Sequence, residues 1–310
     1  MTMQDQFVAY DLSLPNSLTG SAIRICQLSD PNPKYGARPI VERVSGNTTN
    51  GFSGVGEANP DFTFGTKDLK TVCDLLVAAY GVSNSYGYLL SSFTGNGDVG
   101  YQKMTAGATR VAPGTGSHRI HRFLNPCLYM QGISAQQNGD AMARMRMCPM
   151  WDGTNTAYSK LTSQTLNTSA PTVNSLYTMG PIKLNGTWLT GLQSTDVNFD
   201  LGFQEMFAGG QVLPSLVFAE TLITKLALTS RTAGYADDLI TAVSSLSIYF
   251  RRRKANDAAG VEADAALKHI KITATGGAFI ADSLTGSMTN TPLTLNITGA
   301  VVMASDVAIT

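Results

Sequence analysis

TPLTLNITGAVV, Thr291 to Val302, puts Leu293, Leu295 and Ile297 on one face of an extended chain and Thr294, Asn296 and Thr298 on the other. Apolar residues at every second position mark a strand with one buried face. About half a chain earlier, AMARMRMCPMW (Ala141 to Trp151) repeats the alternation, with Ala143, Met145 and Met147 opposite Arg144, Arg146 and Cys148. The spacing is 150 residues (143 to 293), and the same spacing sets Tyr129 against Phe279. LTG occurs at Leu18–Gly20 and again at Leu189–Gly191, 171 residues on (18 to 189). Matches in the same order predict one β-rich domain present twice. The first copy is expected over 1–151, a Ser/Thr/Asn-rich linker over 152–175 and the second copy over 176–310.

The chain has 310 residues, 43% hydrophobic and 14% charged, enough for two domains that each bury a core. Lys+Arg 22 balances Asp+Glu 22, so no long-range attraction to nucleic acid or an anionic membrane is built in. With 30 glycines and many Thr, Ser and Asn, the composition reads as strands separated by turns. Cys26, Cys73, Cys127 and Cys148 share no metal-ligand spacing and are expected as buried free thiols suited to a reducing cytoplasm. MTMQDQFVAYDLSL lacks a basic segment followed by an apolar run, so no secretory signal is expected. No stretch approaches the roughly 18 apolar residues of a membrane span.

Strands are expected at Phe7–Leu14, Ala22–Leu28, Ile40–Val44, Phe62–Phe64, Leu89–Phe93, Gly100–Met104 and Leu246–Arg252, with turn-rich sequence over Ser29–Pro39. Ser45–Pro60 reads as a long Gly/Asn/Thr-rich loop, and such loops serve function or assembly. A helix is predicted from Thr66 to Gly81, with Leu69, Val72, Cys73, Leu76 and Tyr80 as its apolar stripe. A weaker helix is expected through Asp237, Leu239, Ile240 and Val243. Tyr101 is matched to Tyr249, and Ile120 to Ile270. Val197, Phe199, Leu201 and Phe203 alternate with Asp196, Asn198, Asp200 and Gln204 in a clean strand.

Chemistry-bearing constellations are sparse. His118 and His121 have no third ligand at metal spacing, so a polar strand edge is favoured over zinc. No GxSxG, HExxH or P-loop pattern occurs. Arg251-Arg252-Arg253-Lys254 could bind phosphate, but the chain is neutral and no aromatics interleave, so a partly solvated strand end is favoured. Arg144 and Arg146 could share a second basic face with Arg119 and Arg122. Met142, Met145, Met147 and Met150 fit packing better than a soft-metal site. Asp196 and Asp200 share a strand face but lack a partner base. No catalytic residue, metal or cofactor is expected.

Leu184 to Ser194 (LNGTWLTGLQS), Val197 to Glu205 (VNFDLGFQE), the Gly209-Gly210…Pro214 turn and Lys271 to Ile297 (KITATGGAFIADSLTGSMTNTPLTLNI) together resemble the tail tube proteins of long-tailed phages. The resemblance is one of pattern and order, strongest from Pro181 to Val302. It implies a mainly β fold of two tandem tube-like β-sandwich/β-barrel domains, each with a flanking helix. It implies a non-enzymatic virion protein, made in the bacterial cytoplasm, whose sheets join into a closed inner barrel. Two domains per chain would let a homotrimer close a pseudo-hexameric ring, the rings stacking into a noncontractile tube that passes DNA without sequence-specific binding. A tape measure protein and tail-end proteins would be its partners, and no membrane. Asp196 and Asp200 would face the lumen; loops carrying Ser45, Asn50, Asn59, Ala255 and Asp257 would make inter-subunit or inter-ring contacts. A capsid, fibre or other virion-surface protein, or a ligand-binding β-sandwich module, are the alternatives.

Overall fold

The structure, a computed structural model, describes residues 6–15, 22–43, 50–80, 91–105, 109–169, 175–231, 240–255, 260–280, 291–297 and 301–310. The first half contains β1 (Gln6–Leu14), β2 (Ile23–Ile25), β3 (Leu28–Lys34), β4 (Ala37–Arg43), β5 (Asn50–Ala58), β6 (Asp61–Thr66), α1 (Leu69–Tyr80), β7 (Ser91–Ser92), β8 (Asn96–Thr105), β9 (Thr109–Arg110), β10 (His118–Leu124), β11 (Pro126–Gln136), β12 (Met142–Pro149) and β13 (Tyr158–Gln164). The second contains β14 (Tyr177–Leu184), β15 (Thr187–Trp188), β16 (Leu192–Met206), β17 (Leu216–Ser230), β18 (Ile240–Ala242), β19 (Leu246–Arg252), β20 (His269–Ala274), β21 (Gly277–Ile280), β22 (Thr291–Ile297) and β23 (Val301–Val307). The fold is mainly β, as expected, and every strand pairing among the described residues is antiparallel.

Strand order repeats between the halves. One sheet runs β13-β10-β8-β1-β2 and another runs β23-β20-β19-β14-β15. In the ten-stranded sheet, β7-β11-β12-β6-β3 is matched by β18-β21-β22-β17-β16, and the two series meet where β11 pairs with β16. Irregularities repeat as well. The β10–β13 ladder shifts between His118 and Ile120, and the β20–β23 ladder between His269 and Lys271. The bulged residues Ser163 and Asp306 have φ of 54° and 55°.

These landmarks correct the spacings read from the sequence. His118 corresponds to His269, so Ile120 falls on Lys271 and not on Ile270; Tyr101 falls on Phe250 and not on Tyr249. Met145 and Met147 fall on Leu293 and Leu295. Leu128, not Tyr129, falls on Phe279. The LTG match is coincidental, because Leu189–Gly191 stands where Ile25–Gln27 stand in the first half. Thr66 Oγ1 donates to Cys26 O at 2.7 Å, and Ser230 Oγ to Thr190 O at 3.0 Å.

Several element expectations change too. Ser29–Lys34 is strand, not turn; Pro31 and Pro33 are tolerated because β3 lies at the end of its sheet. Asn50–Ala58, read as loop, is β5 and pairs with β4. The strand expected from Gly100 already begins at Asn96, so Gly97 and Asp98 lie inside β8. The 152–175 linker contains β13, whose polar YSKLTSQ gives no alternation to detect. The helix starts at Leu69, with Asp68 Oδ1 accepting from Thr71 N at 3.4 Å and Thr66 ending β6. Leu69, Val72 and Cys73 are buried; the side chains of Leu76 and Tyr80 lie outside the described residues. Ile240 is in a strand, and Asp237 and Leu239 lie outside the described residues.

The halves do not keep separate cores. One hydrophobic cluster runs from Leu12, Phe62, Met145 and Met147 through Val197 and Leu226 to Ile248 and Ile272. It fills the space between the ten-stranded sheet and the two five-strand series. Burying each large apolar side chain contributes about 1.5–3 kcal/mol. Helix α1 of the first half packs on β23 of the second, with Lys70 Nζ at 2.9 Å from Asp306 Oδ2.

Candidate assembly interface

Alternation along the ten-stranded sheet leaves one face apolar, packed into the core, and one face polar. Arg144, Arg146, Asp196, Asn198, Thr294 and Asn296 are half-buried or exposed, whereas their neighbours Met145, Met147, Val197 and Leu295 are buried. On this polar face the two halves are joined.

The backbone junction pairs β11 with β16, from Gly132 against Asn198 to Gln136 against Ser194. Arg144 reaches across β11 to grip Asp196 with both amino groups, at 2.9 and 3.2 Å. Gly132 makes the crossing possible: a Cβ there would stand 2.4 Å from Val197 O and 2.5 Å from Arg144 Nη2. Asp196 therefore lies on the surface, 43% exposed, but neutralised by a partner. Asp200 pairs with Ile223 in the β16–β17 ladder, and its side chain lies outside the described residues.

Beyond Asn198 the β16–β17 hairpin leaves β11 and folds over the first half's polar face. Glu205 meets Arg146 at 3.4 Å, and Arg146 also meets Asp61 at 3.2 Å. Burial, opposed by Arg146, raises the Glu205 carboxyl above its ordinary range. Val217, paired with Glu205 across the hairpin, covers a satellite cluster of Cys127, Tyr129 and Cys148. Burial pushes the Cys127 thiol up to about 12, so it is protonated and unreactive at neutral pH. Ala58 N donates to Val212 O at 2.7 Å, and Trp151 N to Pro214 O at 2.9 Å, closing the tip onto the first half.

A second seam runs along the edge of the sheets. Asp140 lies 2.8 Å from both Lys67 Nζ and Arg253 Nε, and Arg253 Nη2 also donates to Asn138 O and Gly139 O. Chiefly through the hydrogen bond from Lys67, the Asp140 carboxyl is held below the usual range. Arg251 pairs with Asp264 at 2.9 Å. The basic run is thus a paired strand end. A cleft of about 420 Å³ opens beside it, lined by Thr178, Leu189, Arg251 and Arg253, with no nucleophile–base pair among those residues.

Arg119 and Arg122 are not on the face of Arg144 and Arg146. They belong to the β8–β10 sheet, where Arg122 pairs with Asp98 at 2.8 Å and Arg119 lies over the Phe7 ring. Among the expected contact residues, Asn59 closes the neck of the β4–β5 hairpin through its N–H to Gly36 O, and Ala255 sits in an exposed turn. Asn50 begins β5, with its side chain outside the described residues. Ser45 and Asp257 lie outside the described residues.

The polar strand-edge expectation for His118 is overturned, because its ring is taken up by backbone hydrogen bonds in the interior, and His269 shares that environment. His118 and His269 are fully buried. Each accepts through Nδ1 from a backbone N–H (Lys103 at 2.9 Å, Arg252 at 3.2 Å) and donates through Nε2 to a carbonyl six residues back (Ala112 at 2.8 Å, Ala263 at 2.9 Å). They hold a loop against a bulge rather than ligating metal. Among the described residues no three His, Cys, Asp or Glu gather as a metal site, and no helix is long and apolar enough to cross a membrane. No family model and no curated protein matches the chain.

Proposed function

We propose that the chain is a tandem duplication of one sheet module and that copies of it join edge to edge into closed rings. The rings stack into the tail tube of a long-tailed phage, a conduit for DNA. The observation that carries this reading is the β11–β16 junction. β16 is the second half's counterpart of β3, and it is seated on the neighbouring module. β3 itself has no strand on its outer side among the described residues. An edge that meets a neighbour in one copy and stands open in the other is a head-to-tail contact awaiting another chain. Such contacts generate rings when the rotation closes.

The polar face suits a channel wall. Its arginines are held by Asp196, Asp61 and Glu205, so few cations are left to grip phosphate. The virion location, the tape measure and tail-end partners, and the count of three chains per ring rest on the sequence resemblance. Light scattering and negative-stain microscopy of the purified chain test the proposal: rings or tubes whose mass is a multiple of three chains are expected. A monodisperse monomer at high concentration overturns it.

A further inference from the structure

The two long hairpins are the same hairpin in register. Glu205 pairs with Val217, Gln204 with Phe218 and Phe203 with Ala219; Val41 pairs with Ser53, Ile40 with Gly54 and Pro39 with Val55. Every one of these residues is matched at a spacing of 164 (41 to 205, 53 to 217). Both ladders shift at the equivalent step, Gly202/Phe203 and Arg38/Pro39. The second-half hairpin lies on the first half's polar face. The first-half hairpin instead leaves Ile40, Val41 and Val55 exposed by 42%, 51% and 45%.

The surface that corresponds to the covered one is only partly buried among the described residues. In the first half, Cys127 and Cys148 are buried beneath Val217. Their counterparts Ala278 and Asn296 in the second half are half-exposed, as is Thr294, the counterpart of Arg146. Charge also differs in matched fashion. Where Glu205 meets Arg146, the corresponding pair is Val41 and Thr294, with neither charge present.

From this we infer that the β4–β5 hairpin clasps the second half of a neighbouring copy of this chain, with Val41 over Thr294 and the hairpin covering Ala278 and Asn296. The inference rests on the ring reading and specifies its contact. The β3 edge makes the clasp necessary. Pro31 and Pro33 have no N–H, so β3 cannot offer the full ladder that β16 offers β11. Burial of the exposed Val41 and Val55, which share one face of the hairpin, supplies the attraction that the ladder lacks.

Chains carrying Val41→Cys are mixed with chains carrying Thr294→Cys, assembled, and treated with a short bismaleimide. The four native cysteines are buried and serve as the unmodified background. A crosslinked dimer is expected from isolated rings of the mixture, and neither from either variant alone nor from dissociated chains. Rings without the crosslink, with both new thiols reactive in dissociated chains, overturn the clasp and leave the ring standing. A crosslink found only in stacked tubes assigns the hairpin to the next ring and also overturns it. Chains that form no ring overturn the tube reading itself. Separately, Val41→Asp is expected to leave thermal unfolding of the dissociated chain unchanged while raising the concentration for half-assembly at least tenfold; unchanged assembly overturns the clasp.

Discussion

In the second half, two unbroken strands of 15 residues each form the long hairpin; in the first half the same span is divided into β3 and β4 on one side and β5 and β6 on the other. The division follows Pro31, Pro33 and Gly36, yet the pairing of residues beyond it is unchanged. Continuity of a strand is therefore not what sets register. Register follows from which residues must face the core at the hairpin's base, where Leu28 opposes Thr66 and Leu192 opposes Ser230, and from bulges that recur at matched steps. What differs is the partner. One hairpin is held by charge to the rest of its own chain; the other pairs Arg38 with Glu57 along itself and leaves Val41 and Val55 exposed.

The two hairpins should differ most at Arg146. Its loss would leave Asp61 and Glu205 facing each other beneath the hairpin without their cation. Removing one partner from a buried ionic group costs about 3–5 kcal/mol. Arg146→Ala should therefore lower the unfolding midpoint of the unassembled chain strongly. Thr294→Ala, the matched change, removes no ion pair and should lower it far less. Equal effects in chemical denaturation would mean that the second-half face is already covered within the chain.

A comparable loss, equal in the two halves, is expected at the two histidines. His118→Leu and His269→Leu each strand a backbone N–H and a carbonyl in the interior, at about 1–3 kcal/mol per unsatisfied group. Calorimetry on both variants should give losses within about 1 kcal/mol of each other. Widely different losses would show that the repeated bulge is not held alike in the two halves.

Gly132→Ala comes next. The added methyl meets Val197 O and the Arg144 guanidinium, so either the backbone junction or the Arg144–Asp196 grip must shift. Overpacking of this kind costs about 1–3 kcal/mol. Arg144→Ala removes the obstacle that can move, although Val197 O remains. Pairing it with Gly132→Ala should recover part of the loss, which a double-mutant cycle measures.

Much of this architecture was legible in the sequence, and what was missed has definite causes. Period-two alternation exposed β12, β16 and β22, because each has one face in the core and one in water. The repeated strand order left matches there too, but a single spacing could not describe it. The spacing is 164 at the hairpin (28 to 192), 151 at the histidines (118 to 269) and 148 at β12 and β22 (145 to 293). The first half has 26 residues between Thr66 and Phe93 where the second has 12 between Ser230 and Val243, and α1 occupies most of the excess. A constant spacing of 150 therefore slipped Tyr129 onto Phe279 by one residue, which exchanges the faces of a strand. β13 was missed because an edge strand with little buried surface needs no apolar alternation. The polar face was found, but its ion pairs were not, since Arg144 and Asp196 are distant in sequence and meet only through a glycine that clears the way.

The Lys67–Asp140–Arg253 seam offers the mildest probe of how the halves are tied. Asp140 is mostly covered and takes a cation from each half, so Asp140→Asn should cost about 1 kcal/mol at neutral pH, in the range of hydrogen bonds to charged groups discounted for the exposure of Lys67. The pH dependence fixes the cause. The folded carboxyl titrates below its unfolded value of 3.8, so its stabilisation is complete above that value and fades as pH falls through the lower, folded one. Wild type and Asp140→Asn should therefore differ by a constant amount at pH 6 to 8 and converge in acid, below about pH 4. A gap that persists unchanged into acid would locate the loss in the bridge geometry between Asp140 and Thr178 rather than in charge, and the two halves would then be tied there by backbone alone.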